Sequence, residues 1–148
     1  MSEASNETDS SYEALLDDAT IYRLARRSSV VDKENGTFLP GAFLLEPDEE
    51  GLSVFPTETC TLTYAIQKIL GKCHGVNILQ VGDTRTLPVE GVTLDVVRKE
   101  DPMHPGMHAE IVGLPYIEDD RIRANRAAEL LANASQRVWR RGEPIPEA

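Results

Sequence analysis

The chain has 148 residues, with 25 acidic and 15 basic side chains, which gives a formal net charge of −10. One domain is expected at this length, and 41% hydrophobic residues suffice for a core. The excess of carboxylates disfavours nucleic acid as a partner. No apolar run approaches the roughly 18 residues that span a bilayer. The first residues also lack the features of a secretory signal, so we predict a cytoplasmic protein with no membrane partner.

The acidic residues are concentrated at the N-terminus. Residues 1–18 contain six carboxylates and no Lys or Arg, which leaves a net charge of −4 for residues 19–148. We therefore predict an acidic, disordered arm over 1–18, a single globular domain over 19–142 and a short tail over 143–148. The arm either solubilises the protein or docks onto a partner.

Strands are predicted first where β-branched and aromatic residues cluster. Residues 21–24 predict one strand, and the following Asn35-Gly36 step supplies the positive φ of a tight turn. The apolar stretch 38–45 predicts a second strand, which Pro40 confines to a sheet edge or a bulge. A charged turn then leads into a third strand over 52–55.

The central part of the chain begins with a predicted helix. Apolar residues at helical spacing over 57–70 indicate about three turns, with Thr57 or Thr59 as the cap and Gly71 closing the helix. Alternating patterns downstream predict three more strands, over 75–81, 92–98 and 107–113, with a turn at Gly82-Asp83 after the first of them.

A long C-terminal helix is the last predicted element. Asp119 and Asp120 suit its start, and Arg137, Arg140 and Arg141 suit its last turn, because the helix dipole favours anions and then cations. Its predicted apolar stripe comprises Ile122, Ala127, Leu130, Leu131, Ala134 and Val138. The predicted fold is α+β: a mixed or antiparallel sheet of five or six short strands, one middle helix and the C-terminal helix.

Histidines supply the first candidate chemistry. His104 and His108 have a spacing that binds metal on a helix, and Glu110 follows them. Pro105-Gly106 indicates a loop entering a strand instead, so we predict no metal site. On that strand His108 and Glu110 project from one face, either as an acid–base pair or as a solvated surface.

Other candidate groups are a thiol and a cluster of arginines. Cys60 and Cys73 are too few for a disulfide framework, so free, buried thiols are expected. His74 next to Cys73 suggests an activated thiolate, but sequence neighbours point apart and no orienting group is implied. No phosphate-binding glycine loop occurs. The arginines at positions 23, 26 and 27 either balance the acidic segments or form an anion site for a phosphate or a nicotinamide dinucleotide.

Two resemblances extend these observations. The ordered motifs resemble a family of small bacterial proteins of unknown function, which implies a compact α+β domain and no particular activity. Tyr22-Arg23 and Ser53 also resemble motifs of ADP-ribosyltransferase-like and RES-type folds. That resemblance implies Arg23 on a pyrophosphate, Ser53 in a nicotinamide pocket and Glu110 in place of the catalytic glutamate. The motifs that carry the first resemblance are Ile21-Tyr22-Arg23, Gly41-Ala42-Phe43, Gly51-Leu52-Ser53-Val54, Gly75-Val76, Asp101-Pro102, the segment 108–113 and the Ala/Leu-rich terminal helix.

Two functional hypotheses follow. The first is a small acidic accessory or interaction protein with a protein partner, such as a regulatory or immunity-like protein, and it requires no cofactor. The second is a nucleotide- or NAD-directed enzyme with an ADP-ribosyltransferase-like site built on Arg23, Ser53, His108 and Glu110. The enzyme hypothesis requires these side chains to converge on one concave pocket.

Overall fold

A computed structural model describes residues 15–146, and it shows one six-stranded sheet in which every neighbouring pair is antiparallel. The strand order across the sheet is β4-β5-β2-β1-β3-β6. The predicted α+β fold is confirmed. The strands are β1 (Thr20–Ala25), β2 (Leu52–Pro56), β3 (Gly75–Gln80), β4 (Asp95–Arg98), β5 (Ala109–Val112) and β6 (Gln136–Arg140).

Within residues 15–146, three helices of the α or π type accompany the sheet, besides 3-10 turns at Ser28–Val30 and Pro40–Phe43. The first, α1, begins as an α-helical turn (Leu62–Tyr64) and continues as a π-helical turn (Ala65–Ile69). The second, α2, spans Val81–Arg85, where the sequence predicted only a turn at Gly82-Asp83. The third, α3 (Arg121–Ala134), is the long helix. No helix of residues 15–146 is long and apolar enough to cross a membrane.

Two predictions about the first half of the chain are wrong in detail. The stretch 38–45 is not a strand, because Pro40 starts a 3-10 turn (Pro40–Phe43) and only Phe38 forms an isolated bridge, to Val31. Helix α1 starts later than predicted, since the Thr61 side chain accepts the Tyr64 N–H at 3.1 Å and serves as the N-cap. The helix therefore has about half its expected length.

The predicted end of the C-terminal helix is also wrong. The helix stops at Ala134, and residues 136–140 turn back as β6, which pairs with β3. Trp139 of this strand is only 5% exposed, because it packs into the apolar cluster beneath α1. Ile122, assigned to the apolar stripe, is 82% exposed. Burial of Trp139 and the free edge of β3 therefore outweigh the helix dipole as the determinant of this segment.

The sheet separates two apolar cores. The larger core covers the face carrying Ile21, Val54 and Ile111 and packs against α3. The smaller core covers the other face, where Leu24 and Phe55 meet α1 and Trp139. Ala109 and Ile111 are fully buried, so the predicted alternation is confirmed within β5. The strand is shorter than the predicted 107–113, and Met107, which precedes it, packs against the smaller core. Glu110 projects from the opposite face of β5, and His108 immediately precedes the strand.

The N-terminal arm lies mostly outside the described residues, which begin at Leu15. Leu15 is 4% exposed in the larger core, and the Asp17 carbonyl accepts the Gly82 N–H at 2.8 Å. The folded part of the chain has therefore begun by Leu15, inside the segment 1–18 that was assigned to the arm.

The ladder between β1 and β2 is short, and the gap that follows it, called the seam below, determines where the site lies. Strands β1 and β2 share only two register pairs, Ile21 with Pro56 and Tyr22 with Phe55. Beyond these pairs β1 continues along β3 and β2 continues along β5. The sheet thus consists of two halves, β4-β5-β2 and β1-β3-β6, which are joined over one short ladder and separate at the residues that follow.

Candidate functional site

A cavity of about 580 Å³ lies at the open seam. This volume falls within the range of small-molecule and cofactor sites, roughly 300–1,000 Å³. Residues 23–25 of β1 form one wall, and Ser53 and Phe55 of β2 form another. Loops, 3-10 turns and the end of α1 close the remainder. The other lining residues are Arg26, Arg27, Val30, Gly41, Ala42, Leu44, Glu46, Asp48, Glu49, Ile69, Leu70, Asp101, Met103, His104 and His108.

Arg23 holds the two sides of the seam together. Its Nε donates to the Ala42 carbonyl at 2.9 Å, and its Nη1 donates to the Ser53 carbonyl at 2.9 Å. The Ser53 carbonyl belongs to β2, so the guanidinium bridges the gap at the point where the ladder ends. Two of its five N–H groups are used in these bonds, and Arg23 is among the residues that line the cavity.

The charge on Arg23 has no direct counter-ion among residues 15–146, in which every ion pair involves other side chains. Burial lowers the pKa of Arg23 to about 10, the charge of Glu49 raises it, and that of Arg26 lowers it. The side chain stays cationic at neutral pH. A desolvated cation without a direct partner is a strong attractor for a ligand anion.

Both signs of charge occur around the cavity. Arg26 and Arg27 add two cations, and Arg27 lies 3.9 Å from Glu46. Three further carboxylates, Asp48, Glu49 and Asp101, also line it. Charge balance therefore describes Arg27, whereas the anion-site alternative for Arg23 stays a prediction.

Ser53 and His108 form a hydrogen-bonded pair in the cavity wall. The Ser53 Oγ lies 3.0 Å from the His108 Nε2, and the His108 Nδ1 lies 3.1 Å from the Lys99 carbonyl oxygen. A carbonyl only accepts, so Nδ1 carries a proton and donates it. In the neutral ring Nε2 is then the acceptor, and the Ser53 hydroxyl donates to it. This is the arrangement of a hydroxyl next to an oriented base.

Aromatic contacts fix the histidines of the cavity. The ring of Phe55 lies 5.6 Å from that of His108 and 6.4 Å from that of His104, measured between centroids. The hydroxyl of Tyr64 on α1 is 3.0 Å from the His104 Nδ1. The loop between β4 and β5 is thereby tied to α1, which lies across the smaller core.

Glu110 lies beside the cavity and not in its wall. It is the register partner of Ser53, and its Oε1 is 3.5 Å from the Lys99 Nζ, which also contacts Glu50 at 3.1 Å. The Lys99 carbonyl holds His108, so Glu110 reaches the pair only through Lys99. Gly51 makes room for this carboxylate, since a Cβ there would lie 2.9 Å from Glu110 Oε1.

The structure thus brings three of the four sequence-predicted residues, Arg23, Ser53 and His108, to one cavity. Neither the Ser53–His108 bond nor the contribution of Phe55 and Tyr64 was predicted from the sequence. The alternating sequence pattern over 107–113 indicates which way His108 faces. Only the pairing of β2 with β5 places His108 next to Ser53.

The structure also bears on the two cysteines and on the hypothesis of a metal site. Both thiols are free and buried, as predicted. Burial raises the pKa of Cys73 despite the lowering by the Gly75 carbonyl contact and Arg141, so Cys73 is not an activated thiolate. Among residues 15–146 no group of three or more His, Cys, Asp or Glu side chains is placed to hold a metal ion.

Thiol reactivity provides a first test of this packing. Burial raises the pKa of Cys60 to about 11, so at about pH 8 only about a thousandth of it is thiolate. We expect both thiols to react with a disulfide reagent at least about a hundred times more slowly in the folded chain than in urea. Stopped-flow absorbance measures both rates, and one thiol reacting equally fast in both states would contradict the burial.

Comparison of the chain with protein-family models, curated proteins and solved structures finds no match in any of the three.

Proposed function

We propose that this protein is a nucleotide-directed enzyme whose cavity binds the phosphate of a nucleotide, such as NAD, at Arg23. The observation that carries the proposal is the buried charge of Arg23, a residue that lines the cavity and has no ion-pair partner among residues 15–146. A planar guanidinium with N–H groups to spare is well suited to a phosphate.

The mixed charge of the cavity supports a nucleotide over a simple anion. Phosphate oxygens suit the arginines, whereas ribose hydroxyls are donors that suit the carboxylates of Glu46, Asp48 and Glu49. Apolar and aromatic surface for a base is present at Phe55, Ile69 and Leu70. The Ser53–His108 pair offers proton transfer in the same cavity, which favours an enzyme over a binding protein.

Ligand titration tests the proposal. We expect NAD, ADP-ribose or AMP to bind with a measurable heat, and ribose 5-phosphate and inorganic phosphate to bind more weakly. A ligand at about a hundred times its Kd adds about 2.7 kcal/mol of stability. For a chain of this length that raises the Tm by roughly 5–10 °C.

Chromatography of the incubated nucleotide then tests turnover. No heat and no Tm shift with any of these ligands at millimolar concentration would refute binding at Arg23. Tight binding with no product after prolonged incubation would refute the enzymatic part alone.

The accessory-protein hypothesis stays a prediction. Five large apolar side chains are exposed in the described part of the chain, and they come from five different segments of the sequence. Repeated affinity purification that returned only this chain would count against a stable protein partner. These exposed side chains are Leu16, Leu39, Met103, Ile122 and Ile145.

A further inference from the structure

We propose that Ser53 is a nucleophile, activated by His108 as general base, that attacks the phosphorus of a phosphodiester or phosphoanhydride bound at Arg23. This inference rests on the proposed function for its substrate, a phosphate-bearing nucleotide. It adds a covalent step on a residue that the resemblance assigned only to ligand contact.

The geometry of the pair meets the requirements for such a step. Nucleophile and base are within hydrogen-bonding distance, 3.0 Å between Ser53 Oγ and His108 Nε2. The base is oriented by a third group, because its Nδ1 donates to the Lys99 carbonyl at 3.1 Å. Both side chains line the cavity, where a ligand reaches them.

The surroundings keep His108 in this orientation. Two hydrogen bonds join Lys99 and His108, because the Lys99 N–H also donates to the His108 carbonyl at 3.1 Å. In addition, Phe55 packs on the imidazole. Ser135, by contrast, accepts from the Asn77 side chain and donates to the Ala132 carbonyl in the interior. Its bonds fill a structural role, whereas Ser53 faces a cavity.

Arg23 identifies the atom to be attacked. The guanidinium that we assign to the phosphate is hydrogen-bonded to the backbone carbonyl of Ser53 itself, at 2.9 Å. Arg23, Ser53 and His108 all line the same cavity, so a phosphate on Arg23 shares that cavity with the nucleophile, and its phosphorus is an electrophilic centre for the attack. The cation also offsets the negative charge that develops on the phosphoryl oxygens.

The step balances without a further reactant. The Ser53 Oγ forms a bond to phosphorus while its proton passes to His108 Nε2, and the bond from phosphorus to the leaving oxygen breaks with the electron pair on that oxygen. A phosphate leaves as an anion, and an alcohol leaves with the proton from His108. After a phosphate has left, His108 first releases its proton to solvent. Water then attacks the phosphorus of the phosphoserine diester and gives its proton to His108. The bond from phosphorus to Ser53 Oγ breaks with the electron pair on Oγ, and Oγ takes that proton, so both Ser53 and His108 are regenerated.

A fluorophosphate ester tests the nucleophile directly, because it carries a phosphorus electrophile with fluoride as the leaving group. We expect diisopropyl fluorophosphate to add one group to the full chain, located on Ser53 by peptide mass spectrometry. Ser53→Ala should abolish the adduct, and His108→Gln should slow it at least about a hundredfold. Ser29→Ala, which removes an exposed serine, should label normally. Circular dichroism checks that each variant is folded.

Three results would overturn the inference: no adduct on Ser53, an adduct on another serine, or equal labelling rates in the wild type and His108→Gln. Failure of the proposed function has a different signature. If Ser53 labels but saturating NAD, ADP-ribose and AMP give no protection and no heat, the nucleophile stands and the nucleotide site does not. If these nucleotides bind but Ser53 never labels, only the nucleophile is lost.

Discussion

Replacement of Gly113 by alanine is expected to lower the free energy of unfolding by about 2–5 kcal/mol. Gly113 has a φ of +97°, where an L side chain is strained, and its added Cβ would lie 2.1 Å from the Thr93 carbonyl oxygen. Backbone has to move to relieve this contact, since the clashing atom is itself main chain. Native domains are stable by only about 5–15 kcal/mol, so the loss would be a large fraction of the total.

Two other glycines provide matched controls. Gly106 has a φ of +74° and nothing within 4 Å of an added Cβ, so Gly106→Ala should cost only the conformational strain, about 1–2 kcal/mol. Gly71 has open space and no positive φ, so Gly71→Ala should be neutral or stabilise by up to about 1 kcal/mol. Urea unfolding followed by circular dichroism ranks the three, and equal losses at positions 113 and 106 would contradict the close approach.

Local sequence pattern was sufficient for most of the sheet and insufficient where a distant partner decides the structure. The alternation over 107–113 correctly assigned which side chains of β5 are buried, because that depends only on the period of a strand. Residues 136–140 have charges and apolar spacing that suit a helix end. They form β6 because β3 offers a free edge and Trp139 fills the smaller core, and neither is visible locally.

The same distinction applies to the candidate site, whose residues could be predicted from the sequence and whose contacts could not. Arg23, Ser53 and His108 could each be singled out as chemically capable residues on predicted strands. Their relation could not be predicted, because Ser53 and His108 are 55 positions apart and meet only through the register of β2 against β5. The open seam depends on the two-pair ladder between β1 and β2, which leaves no signature in composition.

The largest functional effect is expected from Arg23, because its side chain both bridges the seam and provides the cation for a phosphate. Arg23→Gln removes the charge, and a hydrogen bond to a charged group is worth about 1.5–3 kcal/mol, so nucleotide affinity should fall about 10- to 150-fold. Arg23→Lys keeps the charge but presents it as a point, which cannot match the two carbonyls of Ala42 and Ser53 as the planar fork does.

The two variants therefore separate the two roles. Arg23→Lys should lose about 1–3 kcal/mol of stability while retaining part of the nucleotide affinity, and Arg23→Gln should lose most of the affinity. Arg126→Gln on α3, where the arginine is 56% exposed and pairs only with Glu129, should change neither measurement appreciably. Calorimetric titration and urea unfolding report the two quantities. Unchanged nucleotide affinity in Arg23→Gln would show that the ligand binds elsewhere, and unchanged stability in Arg23→Lys would show that the seam does not depend on the guanidinium fork.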